Sequence, residues 1–329
     1  MNKKIFITGV SGFIGRNLAK KLIGNNQIYA LVSEDIDQND KKIKFVKGDL
    51  LDPNSFNSIM KACDVVFHCA AHISFQKEDF QKSYQVNVEG TRNILEAAYK
   101  NRVKKIVHLS ACAVLGYTMD KNTFLDETSN PKIGKDNVYA YTKKLAEEEI
   151  QKYVQKGLNV SIANTATVYG QGDRKLNSGT VIKSVYEGKM KLIPPGGTSF
   201  VSVDDLVEGL VLLAQKGKPG ERYIFCTENM EYKALIQRIA KTLKLKETSF
   251  VLPRFSYYPA LLVAKGIESF SSLGKSKINL TTTQILKETY GYKYFSSKKA
   301  KEELEWRPVQ SFEEAVKKAF NYYKENLLI

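Results

Sequence analysis

The sequence is short of the residues that mark several function classes. Four cysteines, three histidines and one tryptophan are spread over 329 residues. Cys63, Cys69, Cys112 and Cys226 sit in apolar stretches with neither a CxxC pair nor the dense spacing of a disulfide scaffold. That excludes a stapled secreted domain and predicts a reducing, cytoplasmic setting. His68 and His72 are four apart, but the stretch between them reads as strand and loop, no third ligand accompanies them, and His108 lies in an apolar strand. No metal site is expected. Long apolar runs are missing too. The run 259–264 is bounded by Arg254 and Lys265, far below the ~20 residues that span a bilayer. Lys3-Lys4 before Ile5-Phe6-Ile7 imitates the start of a signal peptide, yet the run stops at Thr8-Gly9, too short for an apolar h-region. The net charge is +15, but the lysines come in pairs such as Lys41-Lys42, Lys104-Lys105, Lys143-Lys144 and Lys317-Lys318, with acids between them. Without a block of like charge, a nucleic-acid tail is not expected, and the excess reads as solvated lysine faces that attract an anionic cofactor. Neither an internal repeat nor a low-complexity tract is present.

What is there is an alternation of short apolar runs with amphipathic, helix-length segments. Lys4–Thr8, Gln27–Val32, Ile43–Lys47, 65–69, 105–109 and 160–163 read as strands, while 55–63, 87–100 and 138–153 read as helices. Such alternation predicts parallel strands joined by helical crossovers, a doubly wound α/β domain. On the longest helix, Leu145, Ile150 and Val154 are expected inward, and Lys143, Lys144, Glu147 and Glu148 outward. After Gly170-Gln171-Gly172 the pattern loosens. Pro194-Pro195-Gly196-Gly197 marks a loop before a short strand at 200–203, and Tyr223-Ile224-Phe225 reads as a strand returning to the main sheet. The predicted organisation is a main domain of 1–170, rejoined by 199–227, and a smaller discontinuous α/β lobe of 171–198 and 228–329. Helices are expected in that lobe at 234–243 and 312–323.

Thr8-Gly9-Val10-Ser11-Gly12-Phe13-Ile14-Gly15 joins the first strand directly to a helix start. Gly9 permits the tight turn, Gly12 leaves room for a pyrophosphate, and Gly15 lets the helix pack closely on the strand. The free N–H groups of the helix then face the phosphates. Further along, Tyr139 and Lys143 in Tyr139-Ala140-Tyr141-Thr142-Lys143 are four apart, which puts both on one helix face. An ammonium beside a phenol lowers its pKa from about 10 towards neutrality, which suits a general acid/base at a hydroxyl or carbonyl. The lysine is also placed to hold a nicotinamide ribose.

With these motifs in place, the chain resembles the extended short-chain dehydrogenase/reductase family over almost its whole length. Gly48-Asp49-Leu50, His68-Cys69-Ala70-Ala71, Asn87-Val88-Glu89-Gly90-Thr91, Val168-Tyr169-Gly170-Gln171-Gly172-Asp173, Phe200-Val201-Ser202-Val203-Asp204-Asp205, Pro219-Gly220-Glu221-Arg222-Tyr223 and Leu304-Glu305-Trp306-Arg307-Pro308 follow in the family's order. The resemblance implies a Rossmann domain binding NAD(P) through Gly9, Ser11, Gly12, Phe13, Ile14, Gly15, Ser33, Asp49, Leu50, Ala70, Ala71 and Lys143. Asp49 would contact adenine, and Tyr139 and Lys143 would carry the chemistry. It also implies a homodimer built on two long helices.

Departures from the pattern narrow the reading. The family's hydroxyl five residues before the turn glycine Gly116 is Ala111 here. Ser110 is adjacent and stands in only if the backbone turns locally, since strand neighbours face opposite ways; Cys112 is a weak donor. The loss of one positioned donor costs about 10²–10³ in rate. Cys112-Ala113 replaces the acidic pair of the sugar-nucleotide dehydratases, which argues against water elimination. Thr167 and Ser199 stand where epimerases hold a diphosphate with asparagine and arginine, and Asn164-Thr165 replaces the usual Arg-Pro. The chain therefore looks closest to the dihydroflavonol-reductase and 3β-hydroxysteroid-dehydrogenase branch. Its expected activity is hydride exchange with a carbonyl or carbinol carbon of a small, apolar substrate. A nucleotide-sugar epimerase and a catalytically weakened dinucleotide-binding sensor or scaffold are the rival readings. Ser33 carries neither the arginine of NADP enzymes nor the carboxylate of NAD enzymes, and Glu34-Asp35 beside it would repel a 2′-phosphate, which tilts the choice to NAD. The apolar stretch 255–264 suits packing in the small lobe, an apolar pocket wall or peripheral contact with a membrane.

Overall fold

The computed structural model describes residues 3–24, 26–33, 42–246, 249–272 and 282–329. Twelve strands are present in that range: β1 (Lys4–Thr8), β2 (Gln27–Val32), β3 (Ile43–Lys47), β4 (Val65–His68), β5 (Lys105–Ala111), β6 (Val160–Thr165), β7 (Thr167–Tyr169), β8 (Leu192–Ile193), β9 (Gly197–Ser202), β10 (Arg222–Phe225), β11 (Glu228–Glu231) and β12 (Phe250–Val251). The helices are α1 (Phe13–Leu22), α2 (Asn54–Met60), α3 (Phe80–Tyr84), α4 (Gly90–Lys100), α5 (Val138–Gln155), α6 (Gly179–Tyr186), α7 (Val203–Lys216), α8 (Tyr232–Thr242), α9 (Tyr257–Ser272), α10 (Thr282–Tyr290), α11 (Lys298–Glu303) and α12 (Phe312–Glu325).

Seven strands form one parallel sheet in the order β3-β2-β1-β4-β5-β6-β10. The strand sequences are apolar at successive positions because both faces are covered. Ile5 and Ile7 pack with Leu18 of α1 and Leu206 and Leu210 of α7 on one face. Phe6 points the other way, into Phe56 of α2, Ile94 of α4 and Ile150 of α5. The chain leaves β3 at one edge and returns as β4 on the far side of β1, so the strand order reverses beside β1. A crevice opens there at the carboxyl ends of the strands. The doubly wound fold expected from the sequence is the fold observed.

The small lobe has its own core of Tyr169, Phe200, Ile236, Ile239, Phe312 and Val316. Within 199–227 only β10 enters the main sheet. β9 instead pairs with β7 and β11 in a separate three-stranded sheet. Trp306 Nε1 donates to Asp205 O at 2.9 Å, and the Asp205 carboxylate accepts from the Val309 and Gln310 amides, fastening the C-terminal segment to α7. Strands β5 and β6 run to Ala111 and Thr165, past their predicted ends, and the helix expected over 87–100 begins with a π-turn, Gln85–Glu89, before α4.

One face of α5 departs from the expected pattern. Lys143 and Glu147, assigned outward, are each 2% exposed. Glu147 is tolerated inside because its carboxylate is saturated: Ser110 Oγ donates to Oε1 at 2.5 Å, Asn164 Nδ2 to Oε1 at 2.8 Å and Arg222 Nε to Oε2 at 2.7 Å. A single anion thus ties α5 to β5, β6 and β10. Breaking a buried ion pair by removing one partner strands the other charge. Glu147→Ala is therefore expected to lower unfolding stability by about 3 kcal/mol, the low end of that class because the Arg222 side chain remains 22% exposed. Urea denaturation at neutral pH checks the value, and a loss under about 1 kcal/mol would assign the network no such weight.

Candidate active site

The crevice is built first from glycine. At the end of β1, Gly9 adopts φ +76°, and a Cβ on it would meet Ala70 N at 2.6 Å. A Cβ on Gly15 would run into the Gly9 carbonyl. The turn is closed by Gly12 N donating to Gly9 O at 3.0 Å, and α1 then starts with no side chain capping it and no acid in its first turn. Its leading N–H groups are left for an anionic ligand. Ser11 and Gly12 are exposed, and Phe13 and Ile14 are half-buried. The cradle fits a dinucleotide pyrophosphate: bare backbone at Gly9 and Gly15 lets α1 seat against the end of β1, and its uncapped leading N–H groups are left facing outward.

The other expected contacts follow the same rim. Ser33 is exposed just past β2. Asp49, also exposed past β3, shapes its own turn by accepting from Leu51 N at 2.9 Å. Leu50 offers its carbonyl to Asn93 Nδ2 at 2.9 Å, and Ala70 and Ala71 line the segment after β4. Glu34 and Asp35 lie outside the described residues.

Behind the rim runs a buried polar chain. Ala70 N donates to Thr8 Oγ1 at 3.2 Å, and Thr8 Oγ1 meets His68 Nδ1 at 2.7 Å. His68 Nε2 meets Thr91 Oγ1 at 3.0 Å, and Thr91 Oγ1 donates to Asn87 O at 2.6 Å. Because Thr91 spends its proton on that carbonyl, it accepts from Nε2–H, and Nδ1 accepts from Thr8. His68 is thereby assigned as the neutral Nε2–H tautomer. Burial, assisted by the Lys143 charge, pushes its pKa down to about 3. The His108 ring lies 5.2 Å from His68, centroid to centroid.

Tyr139 and Lys143 stand on the first turns of α5, whose N-terminus Asn137 caps by accepting from Ala140 N at 3.2 Å. The Lys143 amine donates to Leu109 O at 2.6 Å and lies 3.5 Å from His108 Nε2. Burial brings its pKa down to about 8, against the opposing pull of Glu147 and Cys69. Tyr139 is half-buried, edge-on to Phe75 at 6.0 Å. The sequence led us to expect a phenol acidified by the lysine. Here burial, with Cys112 adding to it, pushes Tyr139 up to about 12, and the amine is spent on the strand carbonyl.

Ser110 is not brought to this face. Its hydroxyl is committed to Glu147, as strand alternation requires, and Ala111 sits at the family's hydroxyl position with a methyl group. Cys112 Sγ points to Asn164 O at 3.4 Å. One positioning residue was quoted in the sequence only as a helix start: Asn87, 2% exposed, accepts from His72 N at 2.7 Å and donates to His72 O and to Thr142 Oγ1. It locks the segment after β4 to α5 between Tyr139 and Lys143. A buried asparagine flanked by a glycine three residues on was its only signal.

The sequence pattern of the NAD dependent epimerase/dehydratase family matches residues 5–226. The chain belongs to this family. It is thus an enzyme of the extended short-chain dehydrogenase/reductase type that the motifs resembled, and the family is NAD-dependent. Among its relatives, a dihydroflavonol 4-reductase-like protein of Synechocystis sp. is 28% identical over 98% of this chain and 94% of that protein. The sterol demethylase protein B of Methylococcus capsulatus is 27% identical over 84% and 93%. The crystal structure of gox2253 superposes with a TM-score of 0.85 at 29% identity, covering 99% of both chains. The UDP-glucose 4-epimerase of Thermotoga maritima, at 22% identity and a TM-score of 0.75 over 98% of this chain and 99% of that one, shares the fold.

The neutral His68 makes the scaffold sensitive to acid. Its pKa is about 3 when folded against an ordinary 6.5, so between those values the unfolded chain binds the extra proton. Stability contributed by this group is complete above pH 6.5 and falls by about 1.4 kcal/mol per pH unit below it. Between pH 7 and pH 5 the loss is expected to be about 2 kcal/mol larger in the wild type than in His68→Gln, read from urea midpoints at the two pH values; parallel losses would remove the assignment.

Proposed function

We propose that this enzyme is an NAD(P)-linked oxidoreductase that exchanges a hydride with the carbonyl or carbinol carbon of a small, largely apolar substrate. The observation that carries the reading is the Tyr139–Lys143 pair, one turn apart on α5 with Lys143 tied to β5 through the Leu109 carbonyl, in a chain that also carries the glycine cradle. When bound, the nicotinamide supplies or takes the hydride. Tyr139 gives its proton to the substrate oxygen in reduction and takes it back in oxidation. Lys143, with one N–H committed to the Leu109 carbonyl, keeps its others for the ribose. Ala111 leaves Tyr139 as the hydroxyl donor to that oxygen. NAD is favoured over NADP, because Ser33 offers no cation to a 2′-phosphate.

The lining supports an apolar substrate over a nucleotide sugar. At the two places where a diphosphate would need help, Thr167 Oγ1 faces Thr198 Oγ1 at 3.4 Å and Ser199 is 2% exposed. Phe75, its ring 6.0 Å from that of Tyr139, is exposed, and Phe255, Tyr258, Leu262 and Val263 present an apolar face on the small lobe. That face is the part of the molecule we assign to apolar ligand entry or peripheral membrane contact. No helix among the described residues is long and apolar enough to cross a membrane. A homodimer through α4 and α5, and a cytoplasmic setting that keeps the four free cysteines reduced, complete the reading.

Turnover of a panel of ketones and aldehydes with NADH tests it. Tyr139→Phe is expected to lower kcat by about 10²-fold or more while leaving cofactor affinity by calorimetry unchanged; undiminished turnover would remove Tyr139 from the chemistry. Ala111→Ser separates an active enzyme from a dinucleotide-binding protein whose catalysis has decayed. Our reading expects turnover to stay level or fall, whereas a gain of about 10² would mark a decayed site.

A further inference from the structure

Helix α9 carries its apolar residues on the outside. In α12 the apolar residues Phe312, Val316 and Tyr323 are buried in the core, as amphipathic patterning requires. In α9 the pattern is reversed. Its inward side is thin: the Tyr257 ring packs on that of Tyr290 in α10 at 5.4 Å, and Ala264 is 2% exposed. The turn Arg254–Ser256 that leads into α9 is fixed to the same neighbour, with the Ser256 and Tyr290 hydroxyls 2.6 Å apart. The bulk points to solvent instead. Phe255, Tyr258, Leu262 and Val263 are 63–74% exposed, and Pro259 is exposed with them. Tyr258 with Leu262 and Pro259 with Val263, each pair four residues apart, form one stripe along the helix that begins at Phe255. The same lobe exposes Leu192 of β8 and Phe250 of β12, which are partners in register.

Apolar side chains exposed singly need no explanation, but a contiguous stripe marks a surface that a partner covers. The charges around it say which partner. From Thr248 to Lys287 the sequence holds one acid, Glu268, against the five cations Arg254, Lys265, Lys275, Lys277 and Lys287. Two of these cations stand at the ends of the stripe. Arg254, exposed and next to Phe255, donates from Nη1 to Tyr292 Oη at 2.5 Å and lies 5.2 Å from that ring, so it is held in place by a neutral group. Lys265, exposed and three residues beyond Leu262, forms no ion pair among the described residues. A second copy of the chain does not fit this face. In a two-fold contact the patch meets itself, and Arg254 and Lys265 would face the same cations with no acid between them. An anionic lipid surface satisfies both parts, with acyl chains for the stripe and negative headgroups for its ends.

We infer that the outward face of α9 docks on an anionic lipid bilayer, with Phe255, Tyr258, Leu262 and Val263 entering the boundary between headgroups and acyl chains and Arg254 and Lys265 pairing with the headgroups. This rests on the apolar face assigned above, commits it to one partner, and is independent of the hydride chemistry. The opposite side of α9 is packed on α10, so the helix lies in the plane of the interface, about 5–10 Å deep, and does not cross it. Attachment of this kind is reversible and needs both parts: the stripe supplies the affinity and the cations select the lipid.

Co-sedimentation of the intact chain with vesicles tests the docking, comparing phosphatidylcholine alone with phosphatidylcholine that contains about one-third phosphatidylglycerol. The wild type is expected to bind the anionic vesicles about tenfold or more tightly than the neutral ones, and to lose that preference as salt rises. Leu262→Ser combined with Val263→Ser should weaken binding about tenfold or more. Lys265→Gln should weaken it about fivefold, and Lys265→Arg should retain it. These side chains point to solvent, so thermal midpoints should stay near that of the wild type, which separates lost docking from lost fold. Tyr258→Trp adds a reporter whose emission brominated acyl chains should quench, while Trp306, the one native tryptophan, is buried and keeps its emission. Equal binding by the wild type and the double serine variant, or no preference for anionic lipid, would overturn the docking. So would self-association without lipid, in sedimentation velocity, that the double serine variant abolishes. Each of these results leaves the hydride chemistry standing, whereas a chain that binds anionic vesicles and reduces no carbonyl overturns that chemistry and keeps the docking.

Discussion

Three stretches of bare backbone meet at the end of β1, and the architecture of the site follows from their contact. Gly9 lies against Ala70 at the end of β4, and Gly15 lies against the Gly9 carbonyl, with no side chain between them. That proximity brings the first turn of α1 down to the point where the sheet reverses its strand order. It directs unpaired N–H groups into the crevice and leaves the pyrophosphate as the natural filling of the space. A methyl group at either glycine would separate the helix from the strand, and the rim formed by Ser33, Asp49 and Ala71 would lose its floor.

Two buried polar systems keep this geometry fixed, and they work by opposite means. The Thr8–His68–Thr91–Asn87 chain is uncharged: every proton in it is used once, so the histidine stays neutral inside the sheet. The Glu147 system is charged and relies on Arg222 to balance it. Lys143 stands between them. Its amine borders the neutral imidazole of His108 on one side, and one helical turn away Glu147 raises its pKa against the effect of burial. The first system holds the cofactor half of the crevice and the second holds the far strands, so the lysine is placed by both.

The sheet was legible because a strand covered on both faces writes itself as a continuous apolar run; Lys4–Thr8 and Gln27–Val32 are read with their ends correct, as is the half-buried edge strand Ile43–Lys47. The glycine loop and the Tyr139–Lys143 spacing were legible because a cofactor cradle and a helix face demand fixed intervals. The orientation of Ser110 was also implicit, since alternation along β5 turns it from Ala111. The interior of α5 was not legible. Lys143 and Glu147 look like surface residues until the Leu109 carbonyl and Asn164, Ser110 and Arg222 are seen to satisfy them, and those partners lie far off in sequence. The pairing of β9 with β7 and β11 was hidden for the same reason, as a six-residue strand does not state which edge it joins. Asn17, whose side chain donates to the Gln171 carbonyl at 3.0 Å across 154 residues of chain, shows the limit most plainly: neither residue is unusual, and only the fold brings them together.

Burial, with Cys112 adding to it, pushes the Tyr139 phenol up to about 12. Under the proposed chemistry its hydroxyl is already loaded at neutral pH, so the resting site is prepared to deliver a proton and must first shed one before it can collect another. The resting site thus carries the proton that carbonyl reduction would consume. Alcohol oxidation releases that proton instead, so its equilibrium gains ground as the medium turns alkaline, and under this chemistry the buried phenol is the group through which the proton passes.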